Sequence, residues 1–298
     1  MAELEVLSAD QVRLYEENGY VLVENRVPMP VIEALRAEIT RFIEEARGLT
    51  QSNDRLDLED SHTPQKPRIR RIKLPHAISP VVSDLLRSDA ILAPARDLLG
   101  PDIRLHTTKL NMKSAGHGAA VEWHQDFAFY PHTNDDVLAI GVIIDDMGEE
   151  NGPLMVFPGT HKGPIFDHHA KGVFVGAIDL AACGLDIADA VKLTGPAGSI
   201  TIHHGHIVHG SALNASARDR RMLFLEMMAA DAFPIMGSLT KFDSIEEYDR
   251  RMLCGKPTLT PRLKDVSARI PQPQPKQEYG SIYEIQKGLQ NRSFKFAS

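Results

Sequence analysis

His124 and Asp126 stand two residues apart in the run Trp123-His124-Gln125-Asp126, and four histidines, His203, His204, His206 and His209, cluster much later in the chain. On an extended strand successive side chains alternate, so residues i and i+2 share a face. Such a pair offers a neutral imidazole nitrogen and a hard anionic oxygen to one metal ion, and a distant histidine can close a three-ligand site. Two imidazoles and one carboxylate leave about three of the six octahedral positions open, the arrangement that non-haem Fe(II) oxygenases use to bind both a cosubstrate and O₂. The His-x-Asp spacing alone is a weak signal, because it arises by chance in many proteins. Composition does not choose among the four histidines.

Arg220 supplies that choice. An oxygenase of this kind needs a cosubstrate that chelates the metal, and 2-oxoglutarate does so through its 2-oxo and C1 carboxylate oxygens. Its C5 carboxylate lies deeper and wants a bidentate cation, which is an arginine role. His209 and Arg220 are separated by enough chain for a strand, a turn and the start of the next strand. The two can then reach one pocket from neighbouring strands. Read in isolation, Arg220 would be a surface ion-pair residue, flanked as it is by Arg218, Asp219 and Arg221.

The elements that must position these groups fall into two kinds. Ser8 and Gln11 form a capping box ahead of a helix that ends at Asn18, with Gly19 as its stop. Tyr20 to Val23 reads as a short strand. Ile32, Leu35, Ile39, Phe42 and Ile43 lie on one face of a second helix that begins near Pro30. The segment 48–66 is polar and reads as a mobile loop, and 80–99 as one or two helices. From Ile103 onward the pattern becomes strand-like: 104–111, 137–144, 154–157, 191–194, 199–202 and 222–227, separated by Gly, Pro and Asn. Helices first and short strands later predict an α+β fold with a mainly β core, a jelly roll with N-terminal helices packed on one face. The expected organisation is a single domain over 1–298. Residues 8–100 would give helical support, 101–230 the core with the active site, and 231–298 an irregular wrap or lid.

Composition excludes several classes. At 298 residues, 43% hydrophobic and 24% charged, the chain can bury a sizeable core. A net charge of -7 speaks against a general nucleic-acid surface. No apolar run approaches the roughly 20 residues that cross a bilayer, and the acidic start Met1-Ala2-Glu3-Leu4-Glu5 is unlike a signal peptide. Cys183 and Cys254 cannot build a disulfide framework. A cytoplasmic, reducing setting is expected, one that keeps Fe(II) reduced. The expected partner is a small-molecule substrate, with no nucleic acid and no membrane, and the chain is compatible with a homodimer.

The chain resembles the phytanoyl-CoA dioxygenase family of Fe(II)- and 2-oxoglutarate-dependent oxygenases. Three stretches carry the resemblance, in order: Trp123 to Asp126; Asn151-Gly152-Pro153-Leu154 through Pro158-Gly159-Thr160-His161-Lys162; and His209-Gly210-Ser211 through Asn214, Ser216 and Arg220. The resemblance spans roughly residues 8 to 230. It implies a double-stranded β-helix core, Fe(II) on His124, Asp126 and His209, 2-oxoglutarate clamped by Arg220, O₂ as oxidant, and release of succinate and CO₂ on hydroxylation of an unactivated C–H bond in a small organic molecule or natural product. It also implies that Ser211 and Asn111, with Thr108 on the same run, contact the cosubstrate, whereas Lys113 reads as a solvated residue. The intact Asp126 argues against halogenation, since related halogenases replace that carboxylate with a small residue. Many relatives carry a tryptophan where this chain has Gly141 or Val142, and its loss would widen the pocket.

Substrate contacts are expected from Tyr130, which the alternation after the His-x-Asp motif turns toward the site, and from His132 on the same parity. Phe127 and Phe129 should face away, into the core. The basic run Lys66, Arg68, Arg70, Arg71 and Lys73 reads as a solvated edge strand, with the sharper alternative that Arg71 or Lys73 binds an anionic substrate or the cosubstrate. Two rival functions follow from the same residues. One is a Zn-dependent cupin-like hydrolase or isomerase on the same ligands, which has no special need of Arg220. The other is a non-catalytic binding protein on an oxygenase scaffold, which would be expected to have lost a ligand.

Overall fold

The chain starts with a helix whose N-terminus is capped as its sequence dictates. The computed structural model describes residues 4–116, 118–237, 240–275, 282–286, 289 and 293–294. Helix α1 (Ala9–Asn18) has a reciprocal Ser8/Gln11 capping box and ends on Gly19 at φ 82°, a left-handed conformation that glycine adopts without penalty. Strand β1 (Tyr20–Val23) follows, and then α2 (Met29–Ala46) buries Ile32, Leu35, Ile39 and Phe42 along one stripe. Three shorter helices, α3 (Pro75–Ile78), α4 (Pro80–Leu86) and α5 (Asp89–Leu99), complete the helical layer.

The segment 48–66 is more ordered than its polarity suggests. It contains β2 (Leu56–Leu58), which pairs with β3 (Ile69–Lys73). Asp57 is buried there because Arg71 and Lys73 bond to its carboxylate at 2.7 and 2.9 Å. Nor is β3 a solvated edge strand, since it lies between β2 and β4 (Ile103–Lys113).

The remaining core strands are β5 (Val121–His124), β6 (Val137–Ile143), β7 (Leu154–Val156), β8 (His169–Ala170), β9 (Val173–Phe174), β10 (Val191–Leu193), β11 (Ile200–His204), β12 (His209–Ser211) and β13 (Arg220–Ala229). A large antiparallel sheet runs β1-β11-β6-β13-β4-β3-β2, with β14 (Met252–Cys254) also on β4, and a smaller one runs β10-β7-β12-β5. Together they form a jelly roll. Strand β13 shows why its sequence is almost continuously apolar. Leu223, Leu225 and Met227 pack against the helices, while Met222 and Phe224 pack against Leu154, Val156 and Leu193 of the smaller sheet. A strand covered on both faces has no solvent side on which to place polar residues. Near the C-terminus α6 (Ile245–Asp249) and α7 (Ile282–Gln286) lie against the barrel. Among the described residues no helix is long and apolar enough to cross a membrane.

Candidate metal centre and anion pocket

Strands β5 and β12 are neighbours in the smaller sheet, and their register sets His124 opposite His209. The imidazole centroids are 4.1 Å apart. Asp126 reaches the same point by a route the alternation rule did not foresee. Strand β5 ends at His124, Gln125 is extended, and Asp126 opens a 3-10 turn over Asp126–Ala128. The three side chains are all buried, and one ligand atom from each lies within 4.8 Å of the others. Asp126 Oδ1 is 3.7 Å from His124 Nε2 and 3.9 Å from His209 Nε2.

The two imidazoles are oriented for ligation. His124 Nδ1 lies 2.8 Å from the Glu122 carbonyl and His209 Nδ1 lies 3.0 Å from the Ile207 carbonyl. A carbonyl only accepts, so Nδ1 carries the hydrogen and Nε2 offers its lone pair inward. Burial holds His124 well below the usual imidazole range and His209 down to about 4, which keeps both rings neutral. Burial alone would push the Asp126 carboxyl up, but Lys109, His209, His203 and His124 together hold it well below the ordinary carboxylate range. Two neutral imidazoles and one carboxylate are the donor set for a hard or borderline divalent ion such as Fe(II).

The same cavity contains Arg220, Lys113, Asn111 and Ser211. Arg220 and Lys113 are cross-strand partners on β13 and β4. The Asn151-Gly152-Pro153-Leu154 turn and the loop before β13 set their positions. Gly152 is left-handed at φ 73°, and its carbonyl accepts from Arg220 Nη2 and, at 3.1 Å, from Nε. Asn214 donates to the Lys113 and Arg218 carbonyls at 2.9 and 2.7 Å, which stitches β4 to the loop. Lys113, read as a solvated residue, is buried and donates to the Ser211 carbonyl at 3.3 Å and to that of Ala212. Neither cation has a carboxylate oxygen within ion-pair distance among the described residues. Burial lowers Arg220 to about 10, and burial with the neighbouring Arg220 lowers Lys113 well below its usual range. Two desolvated cations without an anion form a site that an incoming carboxylate would stabilise.

Other expected contacts fall elsewhere. Thr108 has the opposite parity to Asn111, and its hydroxyl hydrogen-bonds at 2.7 Å with His76 on the helical side, so it does not line the cavity. The 3-10 turn after β5 breaks the alternation that placed the following aromatics. Phe129 consequently meets His124 edge-on at 5.8 Å. Tyr130 is buried with its hydroxyl donating to Glu226 at 3.0 Å and also interacting with Asp126, and His132 is bonded to the Tyr130 carbonyl at 2.7 Å. Neither lines the cavity. Lys73 is taken up by Asp57 and the Asn53 carbonyl, whereas Arg71 does reach the cavity wall.

Gly141 does not widen the pocket. A Cβ there would press on Met222 Cε and lie 2.7 Å from Thr201 Oγ1 and 3.2 Å from Phe224, so neighbouring side chains already fill the space. Val142 faces the helices. Residues missed from the sequence include Lys109, paired with Glu226 at 2.6 Å, along with Arg70, Phe224 and the C-terminal Ile282 and Tyr283, all on the cavity wall. No sequence pattern ties Tyr283 to Arg70, over which it stacks at 3.9 Å. His204 and His206 lie outside the cavity.

Comparison with known proteins agrees with this geometry. Residues 15–222 match the family model described as phytanoyl-CoA dioxygenase (PhyH). A probable alpha-ketoglutarate-dependent hypophosphite dioxygenase of Stutzerimonas stutzeri is 34% identical over 291 residues, covering 96% of this chain and 99% of that one. An ectoine dioxygenase of Bordetella parapertussis is 30% identical over 239 residues, covering 74% and 75% of the two chains. The crystal structure of EctD from S. alaskensis with 2-oxoglutarate and 5-hydroxyectoine superposes with a TM-score of 0.66 at 24% identity, covering 89% and 88%.

Proposed function

The chain belongs to the phytanoyl-CoA dioxygenase family and is an Fe(II)- and 2-oxoglutarate-dependent dioxygenase; on that premise we propose that it hydroxylates a compact anionic substrate, with His124, Asp126 and His209 holding the iron and Arg220 the cosubstrate. The observation that carries the cosubstrate assignment is the buried Arg220 guanidinium without a carboxylate partner among the described residues, side by side with Lys113. Ser211 and Asn111 sit beside it on the same wall. Bound iron and 2-oxoglutarate supply the O₂ chemistry, and the chain supplies binding, orientation and a dry pocket.

The anionic substrate is supported by further cations on the cavity wall, where Arg71 is the cross-strand neighbour of Asn111. Arg70 and Arg71 line the cavity, and together with Lys73 they share Asp57. The relative named for hypophosphite, a compact anion, matches nearly the whole chain, so its match includes most of the C-terminal segment that brings Tyr283 onto Arg70. The retained Asp126 fits oxygen transfer to the substrate.

The test is succinate formation from 2-oxoglutarate under Fe(II) and O₂, with hypophosphite, ectoine and L-proline supplied in turn. Stimulation by hypophosphite, one succinate per oxidised product, supports the reading. Stimulation by ectoine or proline alone would discard the anionic substrate. Absence of succinate under every condition would discard the dioxygenase role itself.

A further inference from the structure

One imidazole on the cavity wall is not part of the triad. His203 lies on β11, is 1% exposed, and faces the cavity. Its Nε2 is 3.6 Å from Asp126 Oδ2, whereas the Nε2 atoms of His124 and His209 face Oδ1 at 3.7 and 3.9 Å. The two carboxylate oxygens are therefore divided, Oδ1 toward the ligand imidazoles and Oδ2 toward His203.

The sheet fixes this division. His203 pairs with Ala139 of β6, and Ala139 in turn with Glu226 of β13. The small alanine leaves room on the inner face between the two larger side chains. The His203 ring is also held in place by His209, with centroids 4.6 Å apart, and by Phe224, met nearly at right angles at 6.2 Å.

The environment also sets the tautomer. His203 Nδ1 is buried with no hydrogen-bond partner among the described residues. A proton there would have no acceptor, and the Nε2 lone pair would then face the lone pairs of Oδ2. A proton on Nε2 removes both penalties, because it points at a carboxylate. The 3.6 Å contact is just beyond hydrogen-bonding range, and a small rotation of either side chain closes it.

We propose that His203 is a positioning residue for Asp126. Its Nε2–H ties down Oδ2, so that the carboxylate presents one oxygen to the metal and leaves a coordination position for cosubstrate or O₂. This rests on the reading of His124, Asp126 and His209 as metal ligands, and it adds a third histidine with a role that is not ligation.

The test is anaerobic Co(II) titration of the purified protein, read by the visible d–d bands, with folding checked by circular dichroism and melting. His203→Leu should weaken Co(II) binding about 10–100-fold and shift the bands, as loss of an orienting partner does, while His203→Gln, which keeps a donor, should stay within about threefold of wild type. If His203→Leu does not fold, His203→Met gives the same donor-free comparison. A folded donor-free variant with wild-type affinity and an unchanged spectrum would overturn the proposal while leaving the triad standing. Failure of the wild type to bind Co(II) would remove the metal reading, and the His203 tether with it.

Discussion

Replacing Arg220 with methionine separates cosubstrate binding from folding. Arg220 is 2% exposed, and two of its donors, Nε and Nη2, both go to the Gly152 carbonyl. A guanidinium carries five N–H groups in a fixed fork, so part of the fork remains for an anion. Charge-assisted hydrogen bonds contribute about 1.5–3 kcal/mol each. Two of them to a carboxylate would give about 3–6 kcal/mol, and at about 1.4 kcal/mol per decade that is a loss of at least about 100-fold in 2-oxoglutarate affinity. Folding stability should change far less. The methionine chain fills much of the same volume and removes a buried charge with no carboxylate in ion-pair distance among the described residues, a trade that is often neutral or favourable. The assay is anaerobic titration of the Fe(II) form with 2-oxoglutarate, followed by its visible charge-transfer band, alongside denaturant unfolding. Arg220→Lys should fall between wild type and Arg220→Met, because a point charge lacks the fork. A folded Arg220→Met that binds 2-oxoglutarate like wild type would refute the clamp.

Three further outcomes follow from the geometry. Thr108→Val removes only the hydroxyl bonded to His76; it should cost about 0.5–1.5 kcal/mol in urea unfolding and leave 2-oxoglutarate affinity unchanged, and a clear loss of affinity would return Thr108 to the site. Gly141→Ala should destabilise by about 1–3 kcal/mol through overpacking against Met222 and Thr201, read as a lower melting temperature, and an unchanged one would mean that the space is open. His132 is held neutral to about 3 by burial and by neighbouring His106, below the unfolded value of about 6.5. Between those values the unfolded chain binds more protons, so stability falls as pH drops below about 6.5. The loss amounts to about 2 kcal/mol at pH 5. His132→Leu should therefore show a pH 7.5-to-5 stability loss smaller by that amount, and equal losses in the two proteins would contradict the neutral buried ring.

Much of the site was legible because its signals are local. His124 and Asp126 are two residues apart, so any extended or near-extended backbone brings them together, even though a 3-10 turn replaced the expected strand at Asp126. Arg220 could be read because its separation from His209 leaves room for one strand, a turn and the start of the next, and because the cosubstrate carboxylate calls for a bidentate cation. Where the chain left regular strand, parity failed. Phe129 and His132 follow the 3-10 turn, and their faces were misread for that reason. Lys113 looked solvated because lysine is seldom buried unpaired, and only its pairing with Arg220 across two strands explains its place.

The sequence by itself determined the donor set, the capped first helix, the amphipathic second helix and the order of helices before strands. Each of these depends on residues within a few positions of one another. The tertiary structure alone decided which strands became neighbours, and with them the cross-strand partners. That choice placed His209 opposite His124, set His203 against the free oxygen of Asp126, filled the space beside Gly141 with Met222 and Phe224, and brought Tyr283 onto Arg70. The physical reason is that register between distant strands is set by the fit of whole faces in the core, a property no short stretch of sequence contains.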